Sequence, residues 1–162
     1  MSGSTVGEIE AVYRSRFPAY LRVAVAIAGD EELARDAVHD AFVRALRHRA
    51  RYRGEGRLEA WLWRIVVNEA RRRRSPTVQV VPAEVADTGA SSENGYHETD
   101  HVAALVTALP ERQRLILFLR YYADLDYAAI AEALDVAPGT VAASLNAAHA
   151  RLRARLEEVD RC

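Results

Sequence analysis

Apolar residues recur at helical spacing through most of the chain. From Tyr13 to Ala28, the positions Tyr13, Phe17, Leu21, Val25 and Ala28 lie three or four apart, which places them on one face of a helix. Pro18 falls inside this run. It lacks an N–H and crowds the preceding turn, so a kink or a restart is predicted there. Gly29 ends the run, and Asp30 stands where an N-cap would open the next helix. The second helix carries Leu33, Ala37, Ala41 and Ala45 beside Val38, Phe42 and Leu46, two adjoining rows that form one buried stripe. RARYRGEGR, residues 49–57, contains two glycines and reads as a loop. A third helix is predicted from about Leu58 to Arg74, with Leu58, Leu62, Ile65 and Val66 turned to the core and burial fading where Glu69 and Arg73 interrupt that side.

The pattern then stops. Residues 76–100 mix Pro, Gly, Ser, Asn and acids with no helical period, the composition of a linker. Helical spacing resumes after residue 101. Leu105 and Leu109 precede Pro110, which can open a helix holding Leu115, Phe118 and Leu119. Two units follow: Tyr127 to Leu134, a turn at Asp135 to Ala137, and a helix from Gly139 on which Val141, Leu145, Ala148 and Leu152 face the core. There is no strand-like alternation and no fixed-period repeat. The expected fold is all-α: two small helical domains, 1–75 and 101–162, joined by a flexible acidic linker, 76–100, with a helix-turn-helix in the second.

Composition narrows the class. Of 162 residues, 50% are hydrophobic and 28% charged, which excludes a wholly disordered chain. No stretch reaches the roughly 20 apolar residues that span a bilayer, and the N-terminus has no basic leader with an apolar core. A cytoplasmic protein without membrane insertion is expected. The single cysteine, Cys162, allows no intrachain disulfide and no cysteine metal cluster.

The net charge of −1 hides an asymmetry. Residues 1–75 hold 15 Arg against 10 acids, residues 76–100 hold five acids and no Arg, and from Arg44 to Arg74 alone 11 Arg meet 3 acids. A basic block in a neutral chain points to a polyanion, most commonly nucleic acid. Within that block Arg57, Trp61, Arg64, Asn68 and Arg71 step by 4, 3, 4 and 3, so all five project from one helix face. Arginine contacts phosphates and base edges, and an indole is a stacking platform for an unpaired base, worth roughly 1–3 kcal/mol per base. Such a mixed face suits DNA that is being opened. The loop from Tyr52 and Arg53 to Arg57 adds an aromatic ring, guanidinium groups and the backbone freedom to shape a pocket for an extruded base.

ARDAVHDAFVRAL (Ala34 to Leu46), the YRGEGR loop and WLWRIVVNEARRRR (Trp61 to Arg74) together resemble the core lobe of a bacterial sigma factor, of the short extracytoplasmic-function class with two helical domains. His39 stands where Gln is usual. The resemblance implies that Asp36, His39, Asp40, Val43 and Arg44 dock on the clamp coiled coil of RNA polymerase. It further implies that Tyr52, Arg53, Arg57, Trp61, Arg64, Asn68, Arg71 and Arg72 read and melt the minus-ten element. Asp36, His39 and Asp40 could otherwise be metal ligands, but they offer one imidazole and no supporting ligand elsewhere.

LPERQR, the Ile-Ala of AAIAEAL and PGTV before a Leu-rich helix are similar to the helix-turn-helix domain of the same class. Thr140, Ser144, His149 and Arg151 are then the candidate contacts to the minus-thirty-five element. Ala142, Ser144, Ala147 and His149 stand where that class carries basic residues, and Ala129 where its support helix carries Glu. Fewer cations predict weaker, less salt-dependent duplex binding, and a second domain that mainly docks on the polymerase flap. The implied partners are core RNA polymerase, promoter DNA and an anti-sigma protein. No cofactor and no enzymatic chemistry are expected, since no Gly-Lys-Ser/Thr loop or His-Glu-x-x-His pair is present. Two competing readings are a degenerate sigma-like regulator that initiates nothing and a free-standing helix-turn-helix regulator.

Overall fold

The computed structural model describes residues 5–52, 57–74 and 104–161, and among these every regular element is helical. Helices α1 (Val6–Ala28), α2 (Glu31–Arg47) and α3 (Leu58–Arg72) form the first lobe, with a single 3-10 turn at Arg49–Arg51 after α2. Helices α4 (Glu111–Tyr121), α5 (Tyr127–Leu134) and α6 (Pro138–Asp160) form the second. The acidic stretch 76–100, Arg53 and Cys162 lie outside the described residues.

Capping sets the ends of α1 and α2. Thr5 and Glu8 exchange a reciprocal pair of side-chain-to-backbone bonds that opens α1. Gly29 closes it in the left-handed region at φ 82°, its N–H donating to the Val25 carbonyl. One residue later the Asp30 carboxylate accepts from the Leu33 N–H at 2.9 Å and starts α2. Pro18 does not restart α1, which runs continuously through it. Tyr20, Leu21, Val23, Ala24 and Val25 are buried immediately after it, and tertiary packing of this length outweighs the one hydrogen bond the imide cannot donate.

The first lobe closes around aromatic rings. Tyr20 sits 4.1 Å from Trp63 and 5.2 Å edge-on from Phe42, and Tyr13 packs edge-on to Phe42 at 4.8 Å. Leu62, Trp63, Val66, Val67 and Ala70 of α3 are all buried. Burial therefore does not fade toward the end of α3, and Glu69 itself is only 5% exposed. The expectation that Glu69 interrupts the packed side is corrected: ion pairs, described below, allow it inside.

In the second lobe Pro110 is the N-cap of α4, and the Asp126 carboxylate accepts from the Ala129 N–H at 2.8 Å to open α5. Asp135 ends α5 at φ 57°, and Pro138 occupies the first turn of α6. The axes of α5 and α6 meet at 103°, within the range of helix-turn-helix pairs. Val141, Leu145 and Ala148 are buried and Leu152 partly so, the core stripe expected for this helix. The lobes touch: α3 packs along α5, and α1 meets α4.

Burial leaves two polar atoms in the first core, the Tyr20 hydroxyl and the Trp63 indole nitrogen, without a hydrogen-bond partner among the described residues. Burial is the main cause that pushes the Tyr20 pKa up from its ordinary 10.0, with the nearby Glu59 charge adding to it. The folded state therefore keeps Tyr20 protonated where the unfolded chain ionises. The stability this represents is complete below about pH 10 and declines as pH rises beyond it. Tyr20→Phe removes an unpaired buried hydroxyl while keeping the ring. It is expected to be neutral or stabilising by up to about 1 kcal/mol at pH 7, and to soften the alkaline loss of stability. Urea unfolding at pH 7 and 10.5 measures both effects.

Candidate nucleic-acid and polymerase interfaces

Trp61 and Trp63 are two positions apart on α3, about 200° around the axis, so they take opposite environments. Trp63 is wholly buried, and that fixes the rotation of the helix. Arg57, Arg64, Asn68 and Arg71 are consequently exposed, with Trp61 half-buried among them. The Trp61 indole lies 5.6 Å from the Tyr52 ring at 39° between planes. The loop before α3 and the ladder thus share an aromatic pair. Arg53 falls outside the described residues.

Glu69 organises the junction of α2 and α3. One carboxylate oxygen, Oε1, receives Arg44 of α2 at 3.1 Å and Arg72 of α3 at 3.2 Å. A buried carboxylate is tolerated only when paired, and here both cations reach it from the rim. An open cavity of about 260 Å³ lies beside it, lined by Arg44, Arg64, Arg72, Trp61, Ile65, Asn68 and Glu69. It offers donors, an acceptor and a flat ring to one small planar group.

On α2, Asp36, His39, Asp40, Val43 and Arg44 share an exposed face, and Val43 is 46% exposed, a large apolar residue left on the surface. Asp40 is ion-paired with Arg73 and Arg44 with Glu69, so this face and α3 are bolted together. The His39 ring lies 6.2 Å from Tyr13 and 6.1 Å from Phe17. Among the described residues no three acidic, histidine or cysteine side chains converge in a way that could hold a metal.

In the second lobe Thr140, Ser144 and Arg151 share one side of α6, with Thr140 and Ser144 half-buried and Arg151 exposed. His149 does not join them. Nine residues beyond Thr140, it points about 180° away, and its Nε2 lies 2.9 Å from the Tyr121 hydroxyl of α4. Of the four candidate contacts it alone lies off that side, and its side chain braces α6 against α4.

Four acids escaped sequence reasoning. Glu69 is the first. The other three are Asp126, 2.7 Å from Arg57; Asp135, 3.7 Å from Arg64; and Glu111, 3.7 Å from Arg71 and also paired with Arg74. A local signal existed only for Glu69, which stands three residues before Arg72 on the same helix.

Two family profiles match the chain: Sigma-70 region 2 over residues 12–75 and Sigma-70, region 4 over residues 100–152. The chain belongs to the sigma-70 family, in its extracytoplasmic-function class. An RNA polymerase sigma-E factor of Streptomyces avermitilis is 28% identical over 99% of this chain and 91% of its own length. The ECF RNA polymerase sigma-E factor of Escherichia coli K12 is 31% identical over 65% of this chain and 64% of its own. Among solved structures, the sigma factor RpoE bound to the anti-sigma factor NepR, from Bartonella quintana, superimposes with a TM-score of 0.73 at 20% identity. That match covers 94% of this chain and 98% of RpoE. CnrH in complex with the cytosolic domain of CnrY gives a TM-score of 0.70 at 19% identity, over 96% and 91% of the two chains. As a sigma factor the chain binds core RNA polymerase and directs it to promoters. Sigma factors are regulatory proteins rather than enzymes by family. No single described helix is long and apolar enough to cross a membrane.

Glu69→Ala should destabilise the first lobe by about 1–2 kcal/mol, since two charge-assisted bonds are lost but both arginines can turn to solvent. In a double-mutant cycle, Arg44→Ala on the Glu69→Ala background should cost less than on the parent chain. Equal cost on both backgrounds in urea unfolding would show that the pair contributes nothing.

Proposed function

We propose a division of labour between the faces. Asp36, His39, Asp40, Val43 and Arg44 on α2 meet core polymerase. The ladder Arg57, Trp61, Arg64, Asn68 and Arg71, together with Tyr52, Arg53 and Arg72, holds the minus-ten strand as it leaves the duplex. The observation that carries this reading is the rotation of α3: Trp63 is locked in the core, so guanidinium, indole, guanidinium, amide and guanidinium emerge together on the other side. Phosphates would be met by the arginines, and an unstacked base by the Trp61–Tyr52 pair. The cavity between α2 and α3 would take an extruded base edge.

The domain division at 1–75, 76–100 and 101–162 belongs to the same proposal. So does a weak role for α6 in the upstream element: Thr140, Ser144 and Arg151 provide one cation between them, and His149 is occupied by Tyr121. The second lobe then works chiefly by docking on the polymerase flap. An anti-sigma protein is the expected regulator, by extension from RpoE, which is held by the anti-sigma factor NepR. The site of action is the cytoplasm, where the polymerase is.

Transcription in vitro with purified core polymerase and genomic fragments tests the whole reading, by mapping start sites with and without the protein. Trp61→Ala and Arg64→Ala should leave core affinity within about twofold and cut open-complex formation by tenfold or more, roughly the value of one stacked base. Val43→Glu should do the reverse, weakening core binding by tenfold or more. Parallel loss of core binding and opening in the Trp61 and Arg64 variants would assign those residues to folding.

A further inference from the structure

The core stripe of α6 does not stop where the lobe stops. Val141, Leu145 and Ala148 are buried and Leu152 partly so, and the same side of the helix continues as Leu156 and Val159. Those two are 41% and 43% exposed, and every residue from Arg153 to Arg161 is on the surface. The end of α6 thus carries an apolar stripe that no other described residue covers. Charge divides this overhang into halves: Arg151, Arg153 and Arg155 come first, then Glu157, Glu158 and Asp160. None of the six is ion-paired among the described residues, although Arg153 and Glu157 stand one helical turn apart. Arg153 and Asp160 lie on one flank of the stripe, Arg155 and Glu158 on the other. Both pairs are centred on the same point, between Leu156 and Glu157.

We propose that this overhang is a self-association surface, and that its occupant is the same segment of a second copy of the chain, running antiparallel. A two-fold axis between Leu156 and Glu157 sets Arg153 against Asp160 of the second copy and Arg155 against its Glu158, and each contact occurs twice. On the stripe, Val159 of the second copy falls between Leu152 and Leu156, and the two Leu156 side chains meet beside the axis. A parallel pair sets arginine against arginine and acid against acid, which repulsion opposes. Residues 151–161 span only about 16 Å of helix. The area they bury falls below that of a standard interface, so the dimer is weak and reversible, with a Kd on the order of 10–100 µM.

The test is sedimentation equilibrium on the full chain, over about 5–500 µM and at about 0.1 M salt, where exposed charges are only partly screened. The parent chain should pass from monomer to dimer across this range. Leu156→Glu should remain monomeric throughout. Arg153→Glu combined with Arg155→Glu leaves acids facing acids across the axis and should weaken the dimer tenfold or more, the summed effect of four exposed contacts reversed in sign. Adding Glu158→Arg and Asp160→Arg to that chain makes the halves complementary again, and should bring the Kd back to within about threefold of the parent value. All the changes are on exposed positions of one helix, and circular dichroism checks that each variant keeps its helicity. A parent chain that stays monomeric overturns the proposal; if Leu156→Glu then lowers affinity for core polymerase, the stripe is a polymerase contact instead. A dimer that survives Leu156→Glu is joined elsewhere, and overturns it too. A dimer that the four-charge swap fails to restore is not paired antiparallel through these residues.

Discussion

The burial of Trp63 against Tyr20 is the contact on which the rest of the structure depends. A helix with cations on one side and apolar groups on the other can still rotate by a residue or two if its core side is made of small, interchangeable groups. An indole cannot be exchanged in this way: it fills one hole and fixes the rotation of α3. Once Trp63 is seated, Trp61 has to emerge, and the arginines three and four residues away emerge with it. The unpaired Tyr20 hydroxyl and Trp63 nitrogen beside this contact are a local cost of placing two amphipathic rings at the centre of a small lobe.

Glu69 extends that logic to a second face. It lies on the buried side of α3 but at its edge, where arginines from α2 and α3 can reach it. The Arg44–Glu69 pair and the Asp40–Arg73 pair tie α2 to α3 at two points. The two surfaces proposed for polymerase and for DNA are thereby held in one relation, which a sigma factor requires if docking on polymerase is to place a strand.

What was legible in the sequence was local. Gly29 and Asp30, Pro110 and the turn at Asp135 to Ala137 follow from backbone chemistry, and each is where it was expected; α3 exposes the expected polar side, but it buries Trp63, Val67 and Ala70 more fully than Leu58 and Ile65. The misses share a physical cause. A restart of α1 at Pro18 was one expectation, but the buried run after it keeps the helix continuous. Glu69 was read as a break because hydrophobicity says nothing of a partner on another helix. His149 was placed by family position, whereas its direction around α6 sends it to Tyr121. The pairing of Arg57, Arg64 and Arg71 with acids more than 35 positions away has no local signature at all.

That pairing also gives the charge asymmetry a structural meaning. The excess of arginine in the first 75 residues looks like an open invitation to polyanions, while the whole chain is nearly neutral. Neutrality could arise from acids scattered anywhere, but the folded chain puts three of them opposite the ladder. Asp126 shows how little this demands of the fold: one carboxylate oxygen caps α5 through the Ala129 N–H while the other meets Arg57. Asp135 likewise ends α5 in a left-handed conformation that Asp and Asn tolerate better than most residues, and still reaches Arg64. The acids at 126 and 135 are therefore placed by the helix-turn-helix itself, before any question of regulation arises. A domain whose own capping requirements place carboxylates at both ends of one helix thereby sets two acids against the arginines of α3.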